Sequence, residues 1–261
     1  MPLRRELETI DDLKSLTRIM PAGSELYRQG EPCDMYFVVL RGWIALSSLL
    51  DDGGCQILDF AIPGAFLGFP LGSHAPMYHS ARCVTPVQVR SYPRQPLNNA
   101  VGRNSHLAFL LCQLAVSDAS RAHEHLVNLG LRSAPERVAH LLLELYVRLV
   151  GRVPVIGGET VQLPLTQCHI GQAVGLSGVH VCRVLRMLRE QGIAQLVNQN
   201  LKILNPEALI RIAGLERQIC KQSLESRGTL HLPRELARAG AGFGYRVPVG
   251  WEFQPSDAVS C

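Results

Sequence analysis

Residues 165–196 read LTQCHIGQAVGLSGVHVCRVLRMLREQGIAQL. Two short helices joined by a fixed turn account for the stretch. Thr166 is a capping residue and opens a helix of about eight residues, with Ile170 and Ala173 on its inner side. Gly175 turns the chain, Leu176 plugs the turn, and Ser177 opens a second helix to about Gln191, ended by Gly192. Val181, Val184, Leu185 and Leu188 give that helix an inner face at three-to-four spacing. Its outer face carries Ser177, Val179, His180, Cys182, Arg183 and Arg186. Ile193 to Leu204 follows as a short hairpin pivoting at Asn198-Gln199-Asn200, and Asn205-Pro206 caps a last helix to about Gly214. Two ordinary core helices would leave the Gly-Leu-Ser turn and the arginine-rich outer face unexplained. The pattern is a helix-turn-helix with a wing.

Such a second helix enters the major groove of duplex DNA, where its N-terminal residues meet base edges. Arg183, Arg186 and Arg189 stand three apart and share one helical face. A solvated helix face is the plain alternative to a phosphate-facing stripe. The excess of basic residues sits in the middle-to-late part of the chain. Residues 1–132 hold 12 basic and 12 acidic side chains, residues 133–220 hold 9 and 6, and residues 221–261 hold 5 and 4. Lys202 on the wing adds a further cation, and Thr166 and Gln167, at a helix start, are candidate phosphate clamps.

Upstream, Ser133-Ala134-Pro135-Glu136 is a strong helix start, with Ser133 or Ala134 at the cap. Val138, Leu141, Leu142, Leu145 and Leu149 then form an apolar stripe to Val150. Before it, Asn104 or Ser105 caps a long helix to about Leu129, stopped by Gly130. Leu107, Leu110, Leu111 and Leu114 line its first half, and Ser117, Arg121, Glu124 and Asn128 continue the stripe as polar residues. Pairing with a second copy is the natural way to cover such a helix, so Leu107, Leu110, Leu111, Leu114 and Arg121 are expected at a homodimer interface. The alternative is that the stripe packs on its own domain.

Residues 23–92 read as short strands between glycine-rich turns: Tyr36–Leu40, Trp43–Leu50, Gln56–Ile62 and Val84–Tyr92, with Asp51-Asp52-Gly53-Gly54 as a hairpin signal. Many short strands with regular turns mean an antiparallel barrel or jelly roll. The expected architecture is α+β: an N-terminal double-stranded β-helix (jelly roll), a long dimerisation helix and a C-terminal winged helix-turn-helix. The expected boundaries are 1–102, 103–131 and 132–218, with 219–261 as a flexible glycine-rich tail in which Trp251 and Phe253 stand out.

Composition sets bounds. The chain has 261 residues, 47% of them hydrophobic and 18% charged, which supports a packed core. No apolar run approaches the roughly 18–20 residues of a membrane span, and the charged N-terminus has no signal-peptide core, so a cytoplasmic protein without membrane contact is expected. The eight cysteines contain no Cys-x-x-Cys pair and read as free thiols, with neither a metal nor a cofactor implied.

The stretches GSELYRQGEPCDMYFVVLRGWIAL (23–46), IPGAFLGF (62–69), SAPERVAHLLLELY (133–146) and GLSGVHVCRVLRMLREQGI (175–193) carry a resemblance. Residues 20–214, about three quarters of the chain, resemble the Crp/Fnr family of bacterial transcription regulators, in its FixK-like branch. The resemblance implies a cyclic-nucleotide-binding-like roll, a homodimer, double-stranded DNA and RNA polymerase as partners, and palindromic TTG-like half-sites. It also implies departures. Nucleotide-binding members hold the ribose with Gly-Glu and the phosphate with Arg-Ser or Arg-Thr. The matching pairs here are Gly68-Phe69 and His79-Ser80, a degenerate pocket from which no cyclic AMP binding is expected. The oxygen-sensing branch has an N-terminal cysteine cluster, whereas the first cysteine here is Cys33. Haem would need an axial ligand such as His74 or His79. Many members read cytosine with a Glu where Val179 stands, while Arg183 matches a base- or phosphate-contacting Arg.

Cys182 stands in the first turns of the recognition helix, beside Arg183, and is a candidate redox switch. Two alternatives accompany the DNA-binding regulator without a ligand. One is a regulator gated by an unidentified small ligand or by redox. The other is a cupin-like metal enzyme, which would need a His-x-His that His74 and His79 do not supply.

Overall fold

The structure is a computed structural model that describes Leu7, residues 14–69 and residues 75–214. His74 and the segment 219–261, with Trp251 and Phe253, lie outside the described residues.

Among the described residues eight strands build two antiparallel sheets. β1 (Leu16–Met20), β8 (Val87–Pro93), β3 (Met35–Arg41) and β6 (Phe66–Leu67) form one, in that order. β2 (Glu25–Tyr27), β7 (Ser80–Cys83), β4 (Ile44–Leu49) and β5 (Cys55–Ala61) form the other, with β5 at an edge. Tyr27, Phe37, Val39, Ile44, Ala61, Leu67, Met77, Ala81, Val87 and Val89 fill the space between them. β4 and β5 turn at Gly53, whose φ of +85° matches the hairpin signal. The stretch 84–92 is not one strand. Residues Val84 and Thr85 fold back onto the Trp43 carbonyl, and β8 begins only at Val87.

After the roll come α1 (Arg94–Arg103), α2 (Ser105–Leu131) and α3 (Ala134–Val150). Asn104 caps α2 by accepting from the Leu107 N–H at 3.0 Å. The Glu136 carboxylate accepts from the Ser133 N–H at 2.7 Å at the start of α3. α2 passes through Gly130, which has no positive φ, and ends at Leu131, with Arg132 extended as its cap, so the stop read at Gly130 is corrected.

For Leu107 and Leu110 the expected place at a dimer interface is corrected too. Leu107 and Leu110 are buried within the chain against Tyr36, Val38, Phe66, Tyr92 and Leu97, and Leu111 and Leu114 pack on the same cluster. Arg121 is engaged inside the chain as well, pairing with Asp59 and Asp118. The reason is adjacency: α1 leaves the roll and turns α2 back across it, so the most apolar stripe covers the nearest apolar surface.

The C-terminal part comprises α3, β9 (Thr160–Gln162), α4 (Gln167–Val174), α5 (Gly178–Glu190), β10 (Ala194–Val197), β11 (Asn200–Ile203) and α6 (Pro206–Ala213). The wing is a three-stranded sheet, β10-β11-β9, rather than a lone hairpin. Leu142, Leu145, Leu163, Ile170, Val181, Leu188, Leu201 and Leu209 form its core. That core continues onto Trp43, Ala45, Ile57 and Phe60 of the roll.

Candidate nucleic-acid interface

The helix-turn-helix is built from local chemistry. The Thr166 hydroxyl accepts from the His169 N–H at 3.2 Å, and His169 Nδ1 accepts from the Thr166 N–H at 3.3 Å. This is a capping box with histidine in the usual Glu or Gln position. Burial, aided by the nearby Arg82 guanidinium, lowers the His169 pKa and keeps its ring neutral for that role. α4 ends at Gly175 in the left-handed region, φ +66°. The Ser177 hydroxyl then caps α5 by accepting from the His180 N–H at 3.3 Å.

Gly171 was not singled out from the sequence, and it sets the crossing of the two helices. Its carbonyl accepts from the Leu176 N–H at 2.9 Å. Repeated glycine within the motif, at 171 and 175, is the only sequence signal it gives.

α5 divides cleanly. Val181, Val184 and Leu188 are buried, and Leu185 is half-buried. Ser177, Val179, His180, Arg183, Arg186 and Arg189 are exposed, Val179 at 66%. Cys182 is half-buried on the flank. Among the described residues no carboxylate pairs with Arg183, Arg186 or Arg189. Arg121 and Arg148, by contrast, pair with Asp59, and Arg152 pairs with Glu159. A row of exposed guanidiniums with no acidic partner is a surface set for an external anion.

The wing lies beside it. Lys202 is exposed on β11 opposite Gln195 and Thr160, and Asn198 and Gln199 turn the hairpin with φ of 50° and 62°. Thr166 and Gln167 are exposed at the start of α4. The structure therefore brings Ser177, Val179, His180, Arg183 and Arg186 to one helix face. Thr166 and Gln167 stand at the head of the preceding helix, and Lys202 is on the wing.

The residues of the degenerate pocket are elsewhere, in the roll. Gly68 takes φ +99°, and a side chain there would meet the Met35 carbonyl at 2.5 Å. Phe69 packs edge-on to Tyr36, 5.9 Å between centroids, and against Phe66 at 5.0 Å. His79 Nε2 lies 2.9 Å from the Tyr27 hydroxyl, and burial lowers its pKa. Ser80 accepts from the Gln29 N–H at 3.0 Å.

Residues 136–212 match the Crp-like helix-turn-helix domain, and residues 17–104 match the cyclic nucleotide-binding domain. Over 194 residues the chain is 31% identical to the nitrogen fixation regulation protein FixK of Bradyrhizobium diazoefficiens, covering 74% of this chain and 80% of that one. The chain belongs to the Crp/Fnr family. Its FixK-like character is repeated in the FixK of Rhizobium meliloti, 31% identical over 188 residues, 72% of this chain and 82% of that one. The solved structure of FixK2 from Bradyrhizobium japonicum superposes with a TM-score of 0.68 at 29% identity, covering 76% of this chain and 96% of that chain. As a member of the Crp/Fnr family the chain is a transcription regulator with a helix-turn-helix DNA-binding domain, not an enzyme. The metal-enzyme alternative falls on that finding. Among the described residues no helix is long and apolar enough to cross a membrane.

Proposed function

We propose that this Crp/Fnr regulator is a homodimer that reads a pseudo-palindromic DNA site through α5 and does so without cyclic AMP. The observation that carries it is the outer face of α5, where Val179, His180, Arg183 and Arg186 stand exposed with no acidic partner among the described residues. Arg183 meets a guanine or a phosphate, Val179 packs on a thymine methyl, and His180 donates to a base or phosphate. Arg186, Arg189 and Lys202 neutralise phosphates, with Thr166 and Gln167 as clamps. Ser177 and Cys182 line the same surface.

A dimer seam is available on α2, on a different face from the buried leucines. Phe109, Cys112, Val116, Ala119, His123, Leu126 and Gly130 are all exposed. They recur at alternating three and four spacing, the a/d pattern of a two-stranded coiled coil. Pairing there about a two-fold axis sets two recognition helices one DNA turn apart, about 34 Å. The interruptions at His123 and Gly130 favour a modest seam.

Independence from cyclic AMP is supported by the sealed partners of His79 and Ser80 and by the Phe69 ring where a ribose-holding carboxylate would stand. The domains 1–102, 103–131 and 132–218, a cytoplasmic location and contact with RNA polymerase complete the proposal; the last follows from the family rather than from any residue. The test is selection from random duplex DNA by reduced protein with no effector, paired with calorimetric titration of cyclic AMP. The expected result is enrichment of a two-fold palindrome and no heat at micromolar nucleotide. Micromolar cyclic AMP binding, or enrichment only after adding it, overturns ligand independence.

A further inference from the structure

Among the described residues the edge strand β5 has β4 on one side only. Its register breaks at Leu58: Leu46 pairs with Asp59 and Ser47 with Ile57, which leaves Leu58 without a partner of its own. A bulge of this kind bends the strand and re-aims its side chains. Here helices from the rest of the chain take up what the bulge presents. The Leu58 carbonyl lies 2.9 Å from His125 Nδ1 on α2. The Phe60 carbonyl accepts from Arg148 Nη2 on α3 at 2.6 Å. The Asp59 carboxylate accepts from Arg148 Nη1 at 2.6 Å and from Arg121 Nε at 3.3 Å. Glu144 closes the ring, 2.8 Å from His125 Nε2 and 3.2 Å from Arg148 Nη1. Gln56 donates to the Ala173 carbonyl in the last turn of α4, at 3.2 Å. One strand of the roll is thus fastened to the long helix, to the first helix of the winged domain and to the helix-turn-helix itself.

The side chains of Asp59, Glu144 and Arg148 are only 19%, 15% and 16% exposed. Charges held that far from water add little net stability, because desolvation offsets their attraction. What such a cluster imposes is geometry, since a forked guanidinium fixes angle as well as distance.

We propose that Asp59 and Arg148 are positioning residues for DNA recognition. They set the angle between α2 and the winged domain, and so the distance between the two recognition helices of the dimer. The proposal rests on the dimeric reading above. Neither residue is on the DNA-facing helix or the wing. In a two-fold assembly any rotation at this joint displaces both recognition helices, so the preferred spacing between half-sites is set at the roll as well as at the DNA surface.

The experiment is site selection from duplex libraries whose half-sites are separated by spacers of varied length, using the full chain and its Asp59→Asn and Arg148→Lys variants. Asp59→Asn keeps the shape and loses the charge; Arg148→Lys keeps the charge and loses the fork. The wild type is expected to prefer one spacer by about tenfold over neighbours one base pair longer or shorter. Both variants are expected to bring those neighbours within about threefold while the half-site sequence stays the same. Weaker binding on every spacer alike, with the wild-type spacer preference kept, overturns the proposal and leaves a merely structural cluster. If thermal melting shows Asp59→Asn unfolded, Arg148→Lys and Arg121→Gln carry the same comparison. Failure of the dimeric reading is distinguishable, because it appears as wild-type protein that enriches no palindrome, and it removes this proposal with it.

Discussion

Gly171 and Leu176 approach so closely that no side chain fits between them: a Cβ on Gly171 would lie 2.4 Å from the Leu176 carbonyl oxygen. The Leu176 N–H donates to the Gly171 carbonyl across the same gap. Gly171→Ala must therefore push α4 and α5 apart, at a cost of about 1–3 kcal/mol. The expected outcome is a lower Tm together with loss of specific DNA binding. Near-native values of both would mean that the turn relaxes freely.

Arg183→Ala is expected to reduce affinity for the selected site by about 1–3 kcal/mol and to relax preference at one base position. Lys202→Ala is expected to weaken all sequences alike and to lower the salt slope by about 1. Titrations at several salt concentrations separate the two; identical behaviour of both variants would place Arg183 on the backbone.

Burial alone would lower the His125 pKa, but the Glu144 carboxylate, the Leu58 carbonyl and Asp59 outweigh it, and the value ends above that of a free imidazole. Glu144 is held below the ordinary carboxylate range, because His125, Arg148 and His140 overcome its burial. A raised histidine stabilises fully below its unfolded value of about 6.5 and loses that contribution as pH rises through the folded value. The Tm difference between wild type and His125→Gln should therefore be larger near pH 6 than near pH 8.5. Buried His140 works against this in the total, since its pKa is lowered by burial and by Arg132, so the difference is the quantity to follow. A difference that does not vary with pH would mean that the His125 pKa is unchanged by folding, and one that grows toward pH 8.5 that the ring stays neutral in the joint.

Cys182 flanks the DNA-facing residues of α5. Hydrogen peroxide would convert its thiolate to a sulfenate with loss of water, adding bulk and polarity beside the phosphates. Peroxide is expected to weaken DNA binding of the wild type and to leave Cys182→Ser unaffected. Equal loss in both would remove the switch, and exposed Cys168 would become the site to examine.

The helix-turn-helix was legible because its signals are local: Thr166, Gly175, Ser177 and Gly192 stand within a few residues of the turns they make. β1 was not, since four of its five residues are exposed and show no alternation. β9 has three residues and exists only through pairing with β11. The leucine stripe of α2 was visible, but its destination was not, because hydrophobicity marks a face for burial without naming the partner. The exposed seam, with Ala119, His123 and Gly130 among its members, gives a weaker pattern than the buried one. The joint is the least legible feature, as Asp59 and Arg148 are 89 residues apart and nothing near either announces the other.

The bulged edge of β5 has a consequence beyond recognition. An open sheet edge is a template for another strand, and folded proteins blunt such edges to avoid sheet-to-sheet aggregation. Here the outward carbonyls of Leu58 and Phe60 are covered by His125 and Arg148, side chains borrowed from two helices. Solubility and posture are thereby tied together: any change that frees α2 and the winged domain from the roll also uncovers a strand ready to pair with its like.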